Sequence, residues 1–318
     1  MSELRWHPLL RQWVAVATHR QDRPQLPRDW CPFDPGSGRV PDHYDVHLYA
    51  NDFPAFSPDG EPFSQDADAD LFRTTGARGT QDVVLYSPDH NLLPSQLTVE
   101  QWRKVIGLWT QRTDELFANP EIQYVAVFEN TGLAIGVTMP HPHGQVYGLP
   151  FIPPLAATEL RSSSEYHRET GLCIYCDILA REIADGRRIV CANGSFVAFL
   201  PFFGRFPAEM QFCARRHFER LADMSEAESN GLASLLSIVR KKYDNLYGFP
   251  MPLMMMVRQS PAKGDHPYFH FHIDFLPIQR SAAKLKYLAG IESGCGTFLN
   301  DTRAEEEAEK LRAAEPNV

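Results

Sequence analysis

An internal duplication of polar motifs constrains the fold of this chain more than any other feature. The first half contains, in order, Cys31-Pro-Phe-Asp34, Ala50-Asn51-Asp52-Phe53, His90, a helical pattern and His141-Pro-His143. The second half contains, in the same order, Cys173-Ile-Tyr-Cys176, Ala192-Asn193-Gly-Ser-Phe196, His217, a helical pattern and His270-Phe-His272. Five matches in one order are improbable by chance, so we predict two related halves with one architecture.

Hydrophobic periodicity places both halves in the α+β class. We predict strands at residues 83–87, 124–128, 143–149, 196–200, 210–213, 254–257 and 269–276. We predict helices at residues 100–116, with Thr98 as the N-cap, at 226–243 and at 303–314. Each half is therefore expected to be an antiparallel sheet with flanking helices. The expected domains are residues 1–155 and 156–318, joined by a proline-containing segment.

Charge and hydropathy exclude several classes of function. The 318 residues carry a formal net charge of −9 without a long basic run, which argues against a nucleic-acid partner. No apolar run reaches the length of a transmembrane helix, and the first residues lack the apolar core of a signal peptide. We therefore expect no membrane partner and a cytoplasmic location. In a reducing compartment, the spacing of Cys173 and Cys176 favours metal or redox chemistry over a structural disulfide.

The segment with the most specific chemistry is glycine-rich and ends in His141-Pro-His143-Gly-Gln145. Glycines such as Gly136 allow the close backbone approach that phosphate binding often uses. We expect the two histidines to point to opposite sides, so that a metal or structural partner holds one while the other faces a ligand. A neutral imidazole is a good nucleophile toward phosphorus. Gln145 is expected on the same face as His143, where its amide can donate to a phosphoryl oxygen.

This segment resembles that of galactose-1-phosphate uridylyltransferases, members of the histidine-triad superfamily. The resemblance covers nearly the whole chain. Beyond His-Pro-His-Gly-Gln, it includes Arg20-Gln-Asp-Arg23-Pro, Cys31-Pro-Phe, Ala50-Asn-Asp-Phe53, Ser87-Pro-Asp-His90 and Arg280-Ser-Ala. It implies that each half has a histidine-triad-like fold.

The resemblance also implies an activity and its site residues. His143 would be uridylylated as glucose 1-phosphate leaves UDP-glucose, and galactose 1-phosphate would then take the uridylyl group in a ping-pong course. Gln145 would assist at the phosphoryl oxygens. A homodimer is implied, with each site completed by the partner chain. The family positions around the substrates correspond to Arg20, Arg23, Asn51, Asp52, Asn130, Gly136, Thr138, Lys286 and Glu292.

Two sets of four residues are candidate zinc sites, both structural. Cys-x-x-Cys with two distant histidines is a tetrahedral zinc pattern, which Cys173, Cys176, His217 and His270 provide. A redox disulfide is the alternative for the two cysteines. By the resemblance, the first-half zinc ligands are Cys31, Asp34, His90 and His141. Asp34 stands where the family usually has a second cysteine, and carboxylate oxygen also binds zinc. The alternative there is a metal-free hydrogen-bonded cluster.

Some family members bind iron in the second half through one glutamate and three histidines. Glu159, His270 and His272 correspond to three of these ligands, but Arg258 stands near the place of the fourth, so we predict no iron. We expect His272 to be structural or to line the site without acting as a nucleophile, because Asp274 stands where the first half has glutamine.

Three other functions remain open. An ADP-glucose phosphorylase would use the same histidine with an adenine nucleotide and free phosphate, since the motif does not read the base. A relative without catalytic activity would bind nucleotides only. A hydrolase of dinucleotides would use water as the acceptor.

Overall fold

The structure of the chain is a computed structural model that describes residues 2–22, 30–64 and 71–315. Its strands are β1 (Glu3–His7), β2 (Gln12–Val16), β3 (His47–Ala50), β4 (Thr74–Gly76), β5 (Thr80–Leu85), β6 (Tyr124–Thr131), β7 (His143–Leu149), β8 (Ile189–Ala192), β9 (Phe196–Phe199), β10 (Met210–Ala214), β11 (Leu253–Arg258), β12 (His272–Pro277), β13 (Gln279–Ser281) and β14 (Lys284–Leu285). Its α-helices are α1 (Val99–Phe117), α2 (Pro154–Thr170), α3 (Ile174–Asp185), α4 (Glu226–Tyr247), α5 (Gly290–Cys295) and α6 (Ala304–Ala313). No helix in the described ranges is long and apolar enough to cross a membrane.

The two halves share one nine-stranded antiparallel sheet, in the order β3-β5-β7-β6-β11-β12-β10-β9-β8. The first four strands in this order, β3-β5-β7-β6, belong to the first half. Their counterparts in the second half follow in the reverse order, as β11-β12-β10-β9. Strand β6 pairs with β11, with Leu253 opposite Thr131 and Met256 opposite Phe128. The α+β class and the duplication are confirmed, and the two half-sheets are joined edge to edge.

Helices α1 and α4 pack on one face of this sheet and form the main core. In α1, the apolar positions Trp102, Val105, Ile106 and Trp109 follow helical spacing and are buried. Thr98 caps the helix, because its Oγ1 accepts a hydrogen bond from the backbone N–H of Gln101 at 3.1 Å. The predicted site around His143 therefore lies on the opposite face of the sheet.

The junction between the halves is helical, where the sequence predicted a proline-containing connection. Pro154 is the first residue of α2, a position where proline is favoured because its missing N–H has no helical partner. The predicted boundary between residues 155 and 156 falls in the first turn of this helix. Helices α2 and α3 cover the second half on the face opposite α4, as Tyr175 of α3 stacks on His272.

The N-terminus of α4 offers a pH-dependent test of stability. The carboxylate of Glu228 accepts hydrogen bonds from Arg216 Nε at 2.8 Å and from Ser225 Oγ at 2.8 Å. These contacts lower the pKa of Glu228 to about 2, and the hydrogen bond from Arg216 makes the largest contribution.

Glu228→Gln is therefore expected to cost about 1–2 kcal/mol of unfolding free energy at pH 7. Because the folded pKa is depressed, the contribution is complete above the unfolded pKa near 4.5 and is lost as the pH falls toward 2. Urea denaturation at pH 7 and pH 3 measures both values. An equal loss of unfolding free energy at pH 7 and at pH 3 would contradict the depressed pKa of Glu228.

Candidate active site

The imidazole of His143 lies at the start of β7. Its Nδ1 is 2.7 Å from the carbonyl oxygen of His141. A carbonyl oxygen only accepts hydrogen bonds, so Nδ1 carries the hydrogen and Nε2 carries the lone pair. This contact fixes the tautomer that a nucleophilic imidazole needs.

His141 and His143 face different surroundings, as the sequence predicted, but strand alternation is not the cause. Residues two apart in a strand share a face, so strand alternation cannot separate the two rings. Strand β7 begins only at His143, and the chain bends at His141, which turns that imidazole toward a buried cluster. There His141 Nε2 donates to the carbonyl oxygen of Ser87 at 2.7 Å.

Gln145 lies two residues beyond His143 on the same strand and the same face. Its Oε1 accepts a hydrogen bond from the hydroxyl of Tyr147 at 2.7 Å, which leaves the amide nitrogen as the donor end. Between them, Gly144 meets the Tyr86 hydroxyl so closely that a Cβ would lie 2.2 Å from it. Only glycine therefore fits at this position without displacing Tyr86.

A cavity of about 190 Å³ opens beside His143 and Gln145. Four aromatic side chains contribute to its walls, which suits the face of a nucleobase. Its remaining lining residues are Trp30, Pro32, Phe33, Arg39, Tyr49, Asn51, Asp52, Phe53, Val83 and Met139.

A turn at the floor of this cavity holds two residues predicted to bind substrate. Asn51 Oδ1 accepts a hydrogen bond from the backbone N–H of Phe53 at 2.9 Å. Asp52 accepts bonds from Tyr49 at 2.7 Å and from Arg39 at 2.8 Å.

Of the two predicted arginines, Arg20 supports the same turn by donating to the carbonyl oxygen of Phe53. Arg23 lies outside the described residues.

A second cavity, of about 150 Å³, is also lined by His143. Asn130 lines it, and Met139 borders both cavities. In the loop between β6 and β7, Gly136 has a φ of +84°, which favours glycine. The hydroxyl of Thr138 is buried and makes no hydrogen bond within the described structure. His143 thus lines both cavities, which gives a donor and an acceptor each a space beside it.

Lys286 and Glu292 do not line either cavity. Lys286 Nζ donates to Glu292 Oε1 at 2.8 Å and also to the carbonyl oxygen of Leu299. Both side chains are buried. Within the described chain they therefore engage each other, and their predicted contact with substrate stays a prediction.

The first candidate metal set comes together as predicted. Ligand atoms of Cys31, Asp34, His90 and His141 lie within 4.8 Å of one another. Since His141 carries its hydrogen on Nε2, its Nδ1 lone pair faces Asp34 Oδ1 at 3.1 Å. Two acceptors at that distance repel unless a cation lies beside them, so this geometry fits a metal ion. Burial lowers the pKa of His141, which favours the neutral form that binds metal.

The second set, Cys173, Cys176, His217 and His270, also has its ligand atoms within 4.8 Å of one another. Cys176 Sγ lies 3.5 Å from His217 Nδ1 and 3.4 Å from His270 Nδ1. His270 Nε2 donates to the carbonyl oxygen of Ala214 at 2.9 Å, as His141 does to Ser87. Such outer hydrogen bonds orient imidazole ligands toward a metal.

The thiols of the two sets differ in acidity. Burial raises the pKa of Cys31 to about 11. The hydrogen bond from Cys176, followed by those from His217 and His270, lowers the pKa of Cys173. Cys173 therefore reaches the thiolate form, which is the form that binds metal, more readily than Cys31, whereas its hydrogen bond with Cys173 raises the pKa of Cys176.

His272, the counterpart of His143, is fully buried. Burial lowers its pKa to about 4, and its Nε2 accepts a hydrogen bond from Tyr175 at 2.9 Å. Beside it, Arg258 Nε donates to Asp274 Oδ2 at 2.8 Å and lies 3.8 Å from Glu159 Oε1. A guanidinium thus supplies the positive charge in this cluster, and the absence of iron stays a prediction.

Several residues that line the first cavity have no recognisable signal in the sequence. Trp30, Arg39 and Tyr49 carry no motif or spacing that marks them. For Phe33 a signal was present, because it occupies the same place in the Cys31 motif as Tyr175 does in the second half.

Comparison with known proteins identifies the family. The models for the N-terminal and C-terminal domains of galactose-1-phosphate uridyl transferases match residues 1–153 and 159–317. The chain is 34% identical over 321 residues to the galactose-1-phosphate uridylyltransferase of Thermotoga maritima, with 100% of both chains covered.

Solved structures agree with this assignment. A uridylyltransferase structure matches with a TM-score of 0.89 and 31% identity, covering 98% of both chains. An ADP-glucose phosphorylase from Arabidopsis thaliana with bound ADP-glucose matches with a TM-score of 0.75 and 25% identity, covering 98% of this chain and 99% of that one. The chain therefore belongs to the galactose-1-phosphate uridylyltransferase family of nucleotidyltransferases.

Proposed function

We propose that the chain transfers UMP from UDP-glucose to galactose 1-phosphate through a covalent uridylyl-His143 intermediate. The observation that carries this proposal is that His143 lines two cavities, with its hydrogen on Nδ1. The Nε2 lone pair is then the atom that attacks phosphorus. The family relatives bear the name of this activity.

The reaction consists of two displacements at the same phosphorus atom. In the first, His143 Nε2 attacks the α-phosphorus of UDP-glucose, a P–N bond forms, and the P–O bond to glucose 1-phosphate breaks. In the second, a phosphate oxygen of galactose 1-phosphate attacks the same phosphorus. UDP-galactose leaves, and the electron pair of the P–N bond returns to Nε2.

Neighbouring side chains support these steps. The carbonyl oxygen of His141 stabilises the positive charge that develops on the imidazole as Nε2 bonds to phosphorus. The amide nitrogen of Gln145 is the donor for a phosphoryl oxygen, because Tyr147 fixes the orientation of that amide. We propose Asn51 and Asp52 as contacts to the nucleoside, and Asn130, Gly136 and Thr138 as contacts on the phosphate side.

Both candidate metal sets are proposed to hold zinc in a structural role. Zn–N and Zn–S bonds of about 2.0–2.3 Å in a tetrahedral site place the ligand atoms at separations like those found here. All four positions come from the protein in each set, so neither offers a site to substrate. The first set anchors His141, and through it the carbonyl oxygen that holds His143.

Zinc release is expected to occur in two steps, with the first set losing its ion before the second. The second set offers two cysteine sulfurs, whereas the first offers one, and the pKa of that Cys31 thiol is raised. Mass-spectrometric metal analysis during a chelator time course measures the release. His90→Ala should remove only the early step and Cys176→Ala only the late one. A single step that neither variant alters would contradict the assignment.

We also propose a homodimer in which the partner chain completes each site. Lys286 and Glu292 lie in a segment that exposes apolar side chains, with Tyr287 74% and Leu288 48% exposed. Contact with a second copy would bury these side chains and can bring the segment to the partner's site. Light scattering of the purified chain, with Tyr287→Ser as the test variant, measures the assembly. A monomer at micromolar concentration would contradict it.

Steady-state kinetics test the proposed reaction against its closest alternative. UDP-glucose with galactose 1-phosphate should give the parallel double-reciprocal lines of a ping-pong mechanism. The likeness to the Arabidopsis ADP-glucose phosphorylase makes ADP-glucose with phosphate the necessary comparison. A kcat/KM that is higher for ADP-glucose would move the assignment to a phosphorylase, and intersecting lines would contradict the covalent intermediate.

A further inference from the structure

A buried ion pair joins the two halves behind the end of strand β6. Arg240 of α4 places Nη2 2.8 Å from Glu129 Oε1 of β6, and the two side chains are 4% and 1% exposed. The same nitrogen donates to Thr131 Oγ1 at 2.9 Å, and the Thr131 hydroxyl donates to Glu129 Oε1. One guanidinium from the second half therefore holds two residues of a first-half strand.

The two residues that the guanidinium holds lie on either side of Asn130. Because side chains alternate in a strand, these two point to the α4 face of the sheet and Asn130 points to the opposite face. In the pairing of β6 with β7, Phe128 is opposite Gln145. The same register places Asn130 opposite His143, and both residues line the second cavity. The ion pair therefore lies directly behind the strand position that faces the site.

Strand β6 loses one of its two neighbours at this point. Its pairing with β7 ends at Phe128, whereas its pairing with β11 continues as far as Thr131. Among the described strands, the last three residues of β6 therefore pair only with β11. Gly132 then starts the loop that leads to β7. Contacts from Arg240 thus restrain a strand end that lacks its second partner strand.

Strand register identifies the counterpart of Glu129 in the second half. In β6, the residue before Glu129 is opposite Gln145. In β11, the residue before Val257 is opposite Asp274, which takes the place of Gln145 in the repeat. Val257 therefore occupies the position of Glu129, and it is fully buried.

Helix caps identify the counterpart of Arg240 in the same way. Arg240 follows Ser225, the N-cap of α4, by the same number of residues as Thr113 follows Thr98, the N-cap of α1. Thr113 is also fully buried. The second half thus forms the equivalent strand with uncharged residues at both positions, so the fold does not require the ion pair. Buried ion pairs can often be replaced by apolar residues without loss of stability.

We propose that Arg240 is a positioning residue for nucleotidyl transfer, which acts through Glu129 and Thr131 to hold Asn130 beside the phosphate groups bound at His143. This inference rests on the proposed function of His143. Arg240 Nη1 is buried and makes no hydrogen bond within the described residues, which costs stability. A costly group, with an uncharged counterpart in the repeat, is expected where a site needs one fixed strand position.

The test separates positioning from stability by replacing the ion pair with apolar residues of similar size, as Glu129→Leu together with Arg240→Met. This apolar-pair variant is expected to unfold in urea near the midpoint of the unaltered chain. In single-turnover labelling with UDP-glucose, it should form the adduct about tenfold more slowly, because a small misplacement of a contact to phosphate slows transfer. Thr131→Val, which removes one contact and keeps the side-chain size, should slow labelling by a smaller factor.

A double-mutant cycle with Asn130→Ala shows whether the ion pair acts through Asn130. Asn130→Ala alone is expected to slow labelling about 10²-fold, as the loss of one positioned donor does. Adding the apolar pair should then slow labelling by less than about a further twofold. The inference is overturned if the apolar-pair variant labels within about twofold of the unaltered chain, or if the combined variant is slowed about 10³-fold.

Arg188→Met is the matched control, because it breaks a buried ion pair at the other end of the sheet. Arg188 Nε lies 2.8 Å from Glu182 Oε2, and both side chains are at most 9% exposed. This variant should lower the urea midpoint and leave the labelling rate unchanged. Slower labelling in Arg188→Met, by the same factor as in the apolar-pair variant, would also overturn the inference.

NMR of the substrate-free protein provides a readout that does not need the reaction. The side-chain amide signals of Asn130, assigned by their loss in Asn130→Ala, should shift in the apolar-pair variant and stay in place in Arg188→Met. Unchanged Asn130 signals in the apolar-pair variant would contradict the positioning role. Failure of the unaltered chain to label would instead contradict the proposed function, and the NMR comparison would still decide whether Arg240 positions Asn130.

Discussion

Replacement of His143 by alanine is expected to abolish covalent labelling by UDP-glucose and to lower kcat by at least about 10⁴-fold, as the loss of a covalent nucleophile does in other enzymes. The effect is large because no other imidazole lines the cavity beside Gln145 within the described ranges. Binding of UDP-glucose should persist, since the cavity walls remain. Single-turnover labelling and isothermal calorimetry measure the two quantities separately.

The matched control is His272→Asn, since His272 is the counterpart of His143 in the repeat. This variant is expected to label at the rate of the unaltered chain, because His272 is fully buried and bonded to Tyr175. Full activity of His143→Ala would contradict the account. Loss of labelling in both variants with the fold retained would show that the two histidines act together.

Replacement of Arg258 by methionine is expected to lower the unfolding free energy by about 3–5 kcal/mol, the usual cost of removing one partner from a buried ion pair. Arg258 and Asp274 are both at most 5% exposed. Without the guanidinium, Asp274 and Glu159 face each other in the interior. Chemical denaturation at pH 7 measures the loss.

The unfolding free energy that Arg258→Met loses should also depend on pH. Burial acts to raise the pKa of Asp274, but Arg258 outweighs it and holds the pKa below its usual range. The stabilisation is therefore present above about pH 4 and is lost as the pH falls. Arg187→Met is the surface control, since Arg187 pairs with Asp185 while 67% exposed, and it should cost far less than Arg258→Met. Equal costs for the two variants would contradict the assignment.

The sequence predicted the elements whose ends carry local signals. Residues 143–149 were predicted as a strand and form β7, because the histidine motif and the following proline mark both ends. Helix α1 was predicted within one residue at each end, since Thr98 is a strong cap and the apolar spacing is regular. The strand expected at residues 269–276 begins only at His272, because Phe269 and Phe271 lie in a buried loop.

Helix α2 was missed because Pro153 and Pro154 were read as a connection, although proline is common in the first turn of a helix. The joining of the half-sheets was also not predictable from periodicity. Pairing of β6 with β11 depends on the shapes of two edges far apart in the sequence, and hydrophobic alternation describes only the faces of a strand.

In the site, the four metal-ligand candidates of the second half were found from spacing and the repeat, and those of the first half from the family resemblance; the structure brings each set of four together. Cavity-lining residues were harder to find. Arg39 reaches the cavity through an ion pair with Asp52, 13 residues away, which no local pattern marks. The environment of His272 depends on Glu159 and Tyr175, which come from the two unpredicted helices.

Mapping the covalent adduct tests the central claim most directly. The chain is incubated with UDP-glucose without an acceptor, digested under conditions that preserve phosphoramidates, and its peptides are sequenced by mass spectrometry. The account predicts a uridylyl group on His143, which disappears when galactose 1-phosphate is added and UDP-galactose forms. A label on another residue, or turnover to UDP-galactose without any label, would contradict it.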